Sequence, residues 1–250
     1  MADAAQAMSR ERLGSTGRRD AWWLAPVSVA AGLALLGGYA TWAALQNAHY
    51  KVGSYLSPLY SPELNAPWWP LSPALLILLP PILFRTTCYY YRKAYYRAFF
   101  LDPMACAVGE AHRGTYTGET RFPFVLQNLH RFAFYLAFLW LFFLWHDVWK
   151  ALWFDGRFGI GLGTIVILAS TGSLTLYTFS CHSWRHLVGG KLDCFSCTAS
   201  ARARHGAWKR ISALNEHHMG FAWISLVAVC FADFYVRMVA MGFFRDLRLM

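Results

Sequence analysis

The sequence predicts an all-α integral membrane bundle of five transmembrane helices with one interfacial amphipathic helix. Three observations predict it. Of 250 residues, 57% are hydrophobic and 14% charged, with a mean hydropathy of +0.31, whereas soluble domains run at about 45–50% apolar and ~25% charged. Five stretches nearly free of ionisable side chains are each about as long as the ~20 residues a helix needs to cross a bilayer. The basic residues collect in alternate connections. The same composition excludes a disordered chain, which would be poor in aromatics, since 18% of this one is aromatic. Six cysteines in 250 residues are too sparse for a disulfide scaffold. A net charge of +10 invites a nucleic-acid reading, but in a membrane protein basic residues set orientation, and no nucleic-acid partner is expected.

The first span is expected over 21–48, too long for the apolar core of a signal peptide. The second covers 64–84 and carries Pro67, Pro70, Pro73, Pro80 and Pro81. Its first residues read as loop, and Pro80-Pro81 is expected to kink or end the helix. The interfacial helix follows over 86–100, where TTCYYYRKAYYRAFF is basic and rich in tyrosine. The third span runs over 123–145, interrupted by His130-Arg131, and the fourth over 158–181. The fifth, 218–241, contains Asp233 and Arg237, spaced i,i+4 and expected to pair. This divides the chain into a tail (1–20), a membrane domain (21–242) and a short C-terminal tail (243–250).

Orientation follows from the loops. Arg10, Arg12, Arg18 and Arg19 precede the first span, and the segments 85–122 and 184–212 hold six Lys or Arg each, against Lys51, Lys150, Arg157, Arg245 and Arg248 on the other side. The positive-inside rule then places the N-terminus in the cytoplasm. His112, His130, His182, His186, His205, His217 and His218 all fall on the basic side or at span ends facing it, as do Cys88, Cys106, Cys181, Cys194 and Cys197. The cytosol keeps thiols reduced, so these cysteines read as free thiols or metal ligands.

The densest segment is CHSWRH over 181–186, then Gly189-Gly190, then C-x-x-C at Cys194 and Cys197. His182 and His186 share a helix face at the spacing for two imidazoles on one metal. With Cys194 and Cys197 they permit tetrahedral zinc or a Rieske-type [2Fe-2S] cluster. Cys181 and Cys88, nearer the membrane, are the rival thiolates. Haem b is the alternative use of histidine, because His130, His182 and His218 begin or end spans on one side. A small transporter is the alternative from another class, resting on Asp233 and Arg237.

The runs FRTTCYYYRKAYYRAFF, QNLHRF, CHSWRH with the following GG, LNEHHM and DFYV, in this order, resemble the membrane-anchor (C) subunit of actinobacterial succinate dehydrogenase, respiratory complex II. The resemblance covers most of 20–242. It implies a bacterial plasma-membrane protein that docks a flavoprotein subunit carrying FAD and an iron–sulfur subunit carrying further clusters, both on the cytoplasmic face. It implies electron transfer to a quinone, menaquinone or ubiquinone, through a Rieske-type cluster in the membrane region. His130, Arg131, Tyr90 and Arg92 are the residues expected to meet the quinone head.

Overall fold

The computed structural model describes residues 13–111, 118–122 and 124–250. His112, Pro123 and the first twelve residues of the 1–20 tail lie outside them. Its helices are α1 (Leu24–Gln46), α2 (Ala74–Ile77), α3 (Leu79–Thr87), α4 (Tyr89–Phe100), α5 (His130–Lys150), α6 (Leu162–Phe179), α7 (His182–Gly189), α8 (Ala199–Glu216) and α9 (His218–Ala240). Four of these, α1, α5 with the 3-10 turn before it, α6 and α9, are long and apolar enough to cross a membrane. The pair Ala74–Thr87 and Tyr89–Phe100, bent by 77°, is the one candidate for a fifth span among the described residues. An all-helical membrane bundle is what these elements make.

The bundle closes where side chains are small. Gly163, Thr164, Ser170, Thr171 and Ser173 of α6 are buried, as are Ala222, Ser225 and Ala232 of α9, and these two helices form the most extensive helix pair. Small residues let helices approach closely where lipid removes the hydrophobic drive between them. Leu35, Phe142 and Ile224 point outward instead, as suits side chains facing acyl chains.

Pro80 and Pro81 refine an expectation. Helix α2 ends just before them, with a break at Leu78, as expected; they then stand in the first turn of α3. A proline is tolerated there because its missing N–H would have had no partner. The sharp bend comes later, at Cys88, whose extended backbone separates α3 from α4. A correction concerns Cys194 and Cys197, expected as free thiols or ligands. They are disulfide-bonded to each other. The C-x-x-C turn leading into the Thr198 cap of α8 brings their Cα atoms to 5.8 Å, so the two sulfurs are spent on one another. Helix α8 was not expected, being too polar for a search for apolar runs; it packs on α7 at the basic end.

At the opposite end two short hairpins, β1 (Lys51–Val52) with β2 (Tyr55–Leu56) and β3 (Trp153–Phe154) with β4 (Arg157–Phe158), cap the bundle. The last residues pair with 160–162, and Asp246 accepts hydrogen bonds from Tyr55 and Tyr235. The Tyr60 hydroxyl donates to the final carbonyls of α1 at Ala43 and Ala44. Asp233 and Arg237 pair as expected at 2.7 Å, both essentially buried. The carboxylate also accepts from Tyr39 and Ser57, and the guanidinium donates to the carbonyls of Ala43 and Ala48. Each guanidinium nitrogen donates and both carboxylate oxygens accept, which makes the pair a brace between α1, the loop after it and α9. Removing one partner strands a buried charge, at a cost of about 3–5 kcal/mol. Asp233→Leu is therefore expected to lower the thermal midpoint in detergent sharply, and Asp233→Leu with Arg237→Leu to recover part of the loss.

Candidate functional site

Four chain breaks lie at the basic end of the bundle, and each presents one metal-binding side chain. Cys88 stands at the bend between α3 and α4, His130 opens α5, Cys181 caps the start of α7, and His218 opens α9. Each therefore sits at the N-terminal end of a helix, where the unpaired N–H groups carry partial positive charge and favour a thiolate.

The side chains meet as two His–Cys pairs. His218 Nε2 lies 3.4 Å from Cys88 Sγ, and His130 Nε2 lies 3.1 Å from Cys181 Sγ. The other ring nitrogens are held by hydroxyls: His130 Nδ1 by Thr87 at 3.0 Å and His218 Nδ1 by Ser180 at 2.7 Å. Those hydroxyls donate to the carbonyls of Leu83 and Tyr177, so their oxygens are left to accept. Each imidazole then carries its proton on Nδ1 and turns an unprotonated Nε2 toward a thiol. This tautomer follows from the hydrogen-bond network, and it is the arrangement in which an imidazole ligates a metal through Nε2 with its Nδ1–H anchored. Asn215 extends the support by donating to the Ser180 carbonyl at 2.7 Å.

The two pairs belong to one core. Phe84 stacks on His130 at 4.9 Å and contacts Tyr177 at 5.2 Å, and Tyr177 stacks on His218 at 4.9 Å. Cys88, Cys181, Phe84 and Tyr177 are all buried in a single cluster. Ligation at Cys88 and Cys181 would have to displace a thiol proton.

Against a bound group, the fit can be judged from the donors. Among the described residues no three His, Cys, Asp or Glu side chains gather closely enough to hold one ion. Two imidazoles and two thiols in one buried core are the donor types of a two-iron cluster of Rieske type, in which both imidazoles serve one iron and both thiolates the other; here each imidazole faces a thiol instead. The Tyr177 hydroxyl is buried beside them, next to the Cys88 sulfur.

Of the remaining expected residues, Tyr90 joins the site and the others do not. His182 and His186 lie on the exposed side of α7 and, among the described residues, make no hydrogen bond to the two pairs, although His182 directly follows Cys181. Burial first, then the positive charge of Arg185, lowers the His182 imidazole below its ordinary value. Tyr90 lies against His218, 5.2 Å between rings. Arg92 is tied to Glu119 at 2.8 Å. Arg131 lines a groove on the surface with His186.

Toward the middle of the bundle, next to the pairs, opens a cavity of about 300 Å³ between α1, α3, α5, α6 and α9. Arg85 is the one charged side chain in its lining. Its guanidinium donates to the Tyr91 hydroxyl, the Ala222 carbonyl and the Ser225 hydroxyl and lies over the Tyr177 ring at 4.9 Å. All these partners are neutral. A full positive charge so held, at the head of an apolar chamber, favours a ligand with a long hydrocarbon body and an oxygen that gains negative charge. Nothing in the spacing of the sequence marked Arg85, Thr87, Ser180 or Tyr177.

The family profile of the actinobacterial succinate dehydrogenase subunit SdhC matches residues 24–242. Among solved structures, a chain of the Mycobacterium smegmatis Sdh1 complex in the apo form is 41% identical, with a TM-score of 0.84 and 96% of each chain covered. No curated protein matches the sequence.

Proposed function

The chain belongs to the actinobacterial succinate dehydrogenase subunit SdhC family, and from that premise we propose that it anchors a succinate:quinone oxidoreductase in the bacterial plasma membrane and passes electrons to quinone. The basic end faces the cytoplasm, and a flavoprotein subunit with FAD and an iron–sulfur subunit dock there. The segment of α2 and α3 makes the fifth crossing, and α4, bent away from it by 77°, lies at the interface. The single observation that carries the redox reading is the two buried His–Cys pairs, at the end of the bundle where electrons arrive.

Cys88, Cys181, His130 and His218 would hold a Rieske-type cluster. Such a cluster supplies one-electron transfer at a potential above that of an all-cysteine cluster, since His ligation raises it. Thr87 and Ser180 fix the two ring orientations, and the aromatic walls of Phe84 and Tyr177 keep water out. The long body of the quinone, menaquinone or ubiquinone, fills the apolar cavity. Arg85 holds its head oxygen from the membrane side and stabilises the negative charge that develops there. Tyr90 lies close enough to His218 to share that wall. Arg92 and Arg131 are engaged or directed elsewhere, which moves the proposed quinone site inward from the expected one.

Haem b is less well supported, because each Nε2 turns to its own thiol rather than to one shared flat space. The transporter reading is less well supported, because Asp233 and Arg237 are buried against each other and bonded to Tyr39, Ser57 and the carbonyls of Ala43 and Ala48. The test of the assignment is assembly. Purified under mild detergent, the chain is expected to bring down two larger soluble subunits, FAD and iron, and to reduce quinone with succinate. Recovery as a lone chain without iron would overturn it.

A further inference from the structure

We infer that the groove between the start of α5 and the end of α7 binds the phosphodiester headgroup of an anionic membrane lipid. The groove is about 370 Å³ and presents Arg131, Ser183, His186, Lys191 and Arg204, with no acidic residue in its lining. Its shape comes from the end of α7. Gly190 N–H bonds back to the His186 carbonyl at 2.7 Å, and any side chain at Gly190 would collide with His186. The next residue, Lys191, takes the left-handed conformation at φ 57°, which turns the chain at the groove's edge. Arg204 reaches over from α8 and is fixed there by the carbonyls of Val188 and Gly190 at 2.8 and 2.9 Å. Arg131 and Lys191 have no hydrogen-bond or ion-pair partner among the described residues and are both exposed.

Two uncompensated cations and a fixed guanidinium around one hollow call for a doubly coordinated anionic oxygen group. The rest of the lining says which kind. Phe134, Tyr135 and Leu187 complete the groove; Tyr135 is 46% and Leu187 47% exposed. The hollow therefore opens onto the apolar flank of α5, one turn inside the start of a membrane span. A soluble anion has no use for that flank, whereas a phospholipid places its phosphate among the cations and its acyl chains along it. This site is separate from the His–Cys pairs and does not depend on the quinone reading.

The test uses the purified native assembly, delipidated in mild detergent. Native mass spectrometry then follows titration with phosphatidylglycerol, with phosphatidylcholine, and with phosphatidylglycerol in the presence of inorganic phosphate. The variant is Arg131→Gln with Lys191→Gln, two exposed positions at which the fold loses no contact. At about 1 kcal/mol for each cation near an anionic lipid, wild type is expected to bind phosphatidylglycerol about thirtyfold more tightly than the variant. Phosphatidylcholine binding should be equal in both, and inorganic phosphate should not compete. Equal phosphatidylglycerol binding would overturn the inference. Full competition by inorganic phosphate would replace it with a soluble-anion site. Loss of the associated subunits from the variant would replace it with a protein interface.

Discussion

With His130 and His218 both changed to alanine, quinone reduction by succinate is expected to fall at least ~10²-fold, as removal of metal-supporting groups does. Succinate oxidation by a soluble artificial acceptor should continue, because that electron path ends in the docked subunits. The contrast is His182→Ala with His186→Ala, two imidazoles removed from the same end of the protein. Helical spacing alone would make that pair the ligands, but they lie exposed on α7, so quinone reduction should stay near wild type. The single variants Thr87→Val and Ser180→Ala remove only the groups on Nδ1. Each is expected to lose about 10–100-fold with the protein still assembled. The measurement is the ratio of quinone to artificial-acceptor activity on purified complex. Loss in the α7 double variant with none in His130/His218 would reverse the assignment.

The second large effect concerns Arg85. Arg85→Gln keeps donors but removes the charge, and its kcat with quinone is expected to drop roughly 10²-fold, the usual cost of one preorganised stabilising group. Arg85→Lys should recover part of it. The existing hydrogen bonds to Ala222 and Ser225 mean some loss of stability as well, so the thermal midpoint is read alongside. A structural role alone would lower the midpoint and leave turnover per folded molecule and KM unchanged. Unchanged turnover at every quinone concentration would place the quinone head away from this cavity while leaving the cluster assignment standing.

Four of the spans were legible because apolar runs of bilayer length have one physical use, and the i,i+4 pair of Asp233 and Arg237 was legible because both partners sit on one helix. At the site the same locality and the bundle point to different residues. His182 and His186 stand out because they are four apart, yet one helix face can point at solvent. The pairs that the bundle assembles are 51 and 130 residues apart in the chain, and no spacing rule reaches that far. What the sequence did hold was position: Cys88, Cys181, His130 and His218 all stand at ends of spans on the basic side, where a buried cluster needs ligands. Pro80 and Pro81 read rightly as a break, but a run of residues does not show that they also open the next helix. Helix α8 was missed because a search for apolar length passes over a basic helix lying outside the membrane.

Electron paramagnetic resonance on the reduced, purified complex tests the central claim most directly. A Rieske-type iron signal is expected in wild type, retained in His182→Ala/His186→Ala and absent in His130→Ala/His218→Ala. A wild-type complex active with quinone but lacking that signal, or a signal that survives loss of both His130 and His218, would contradict the account.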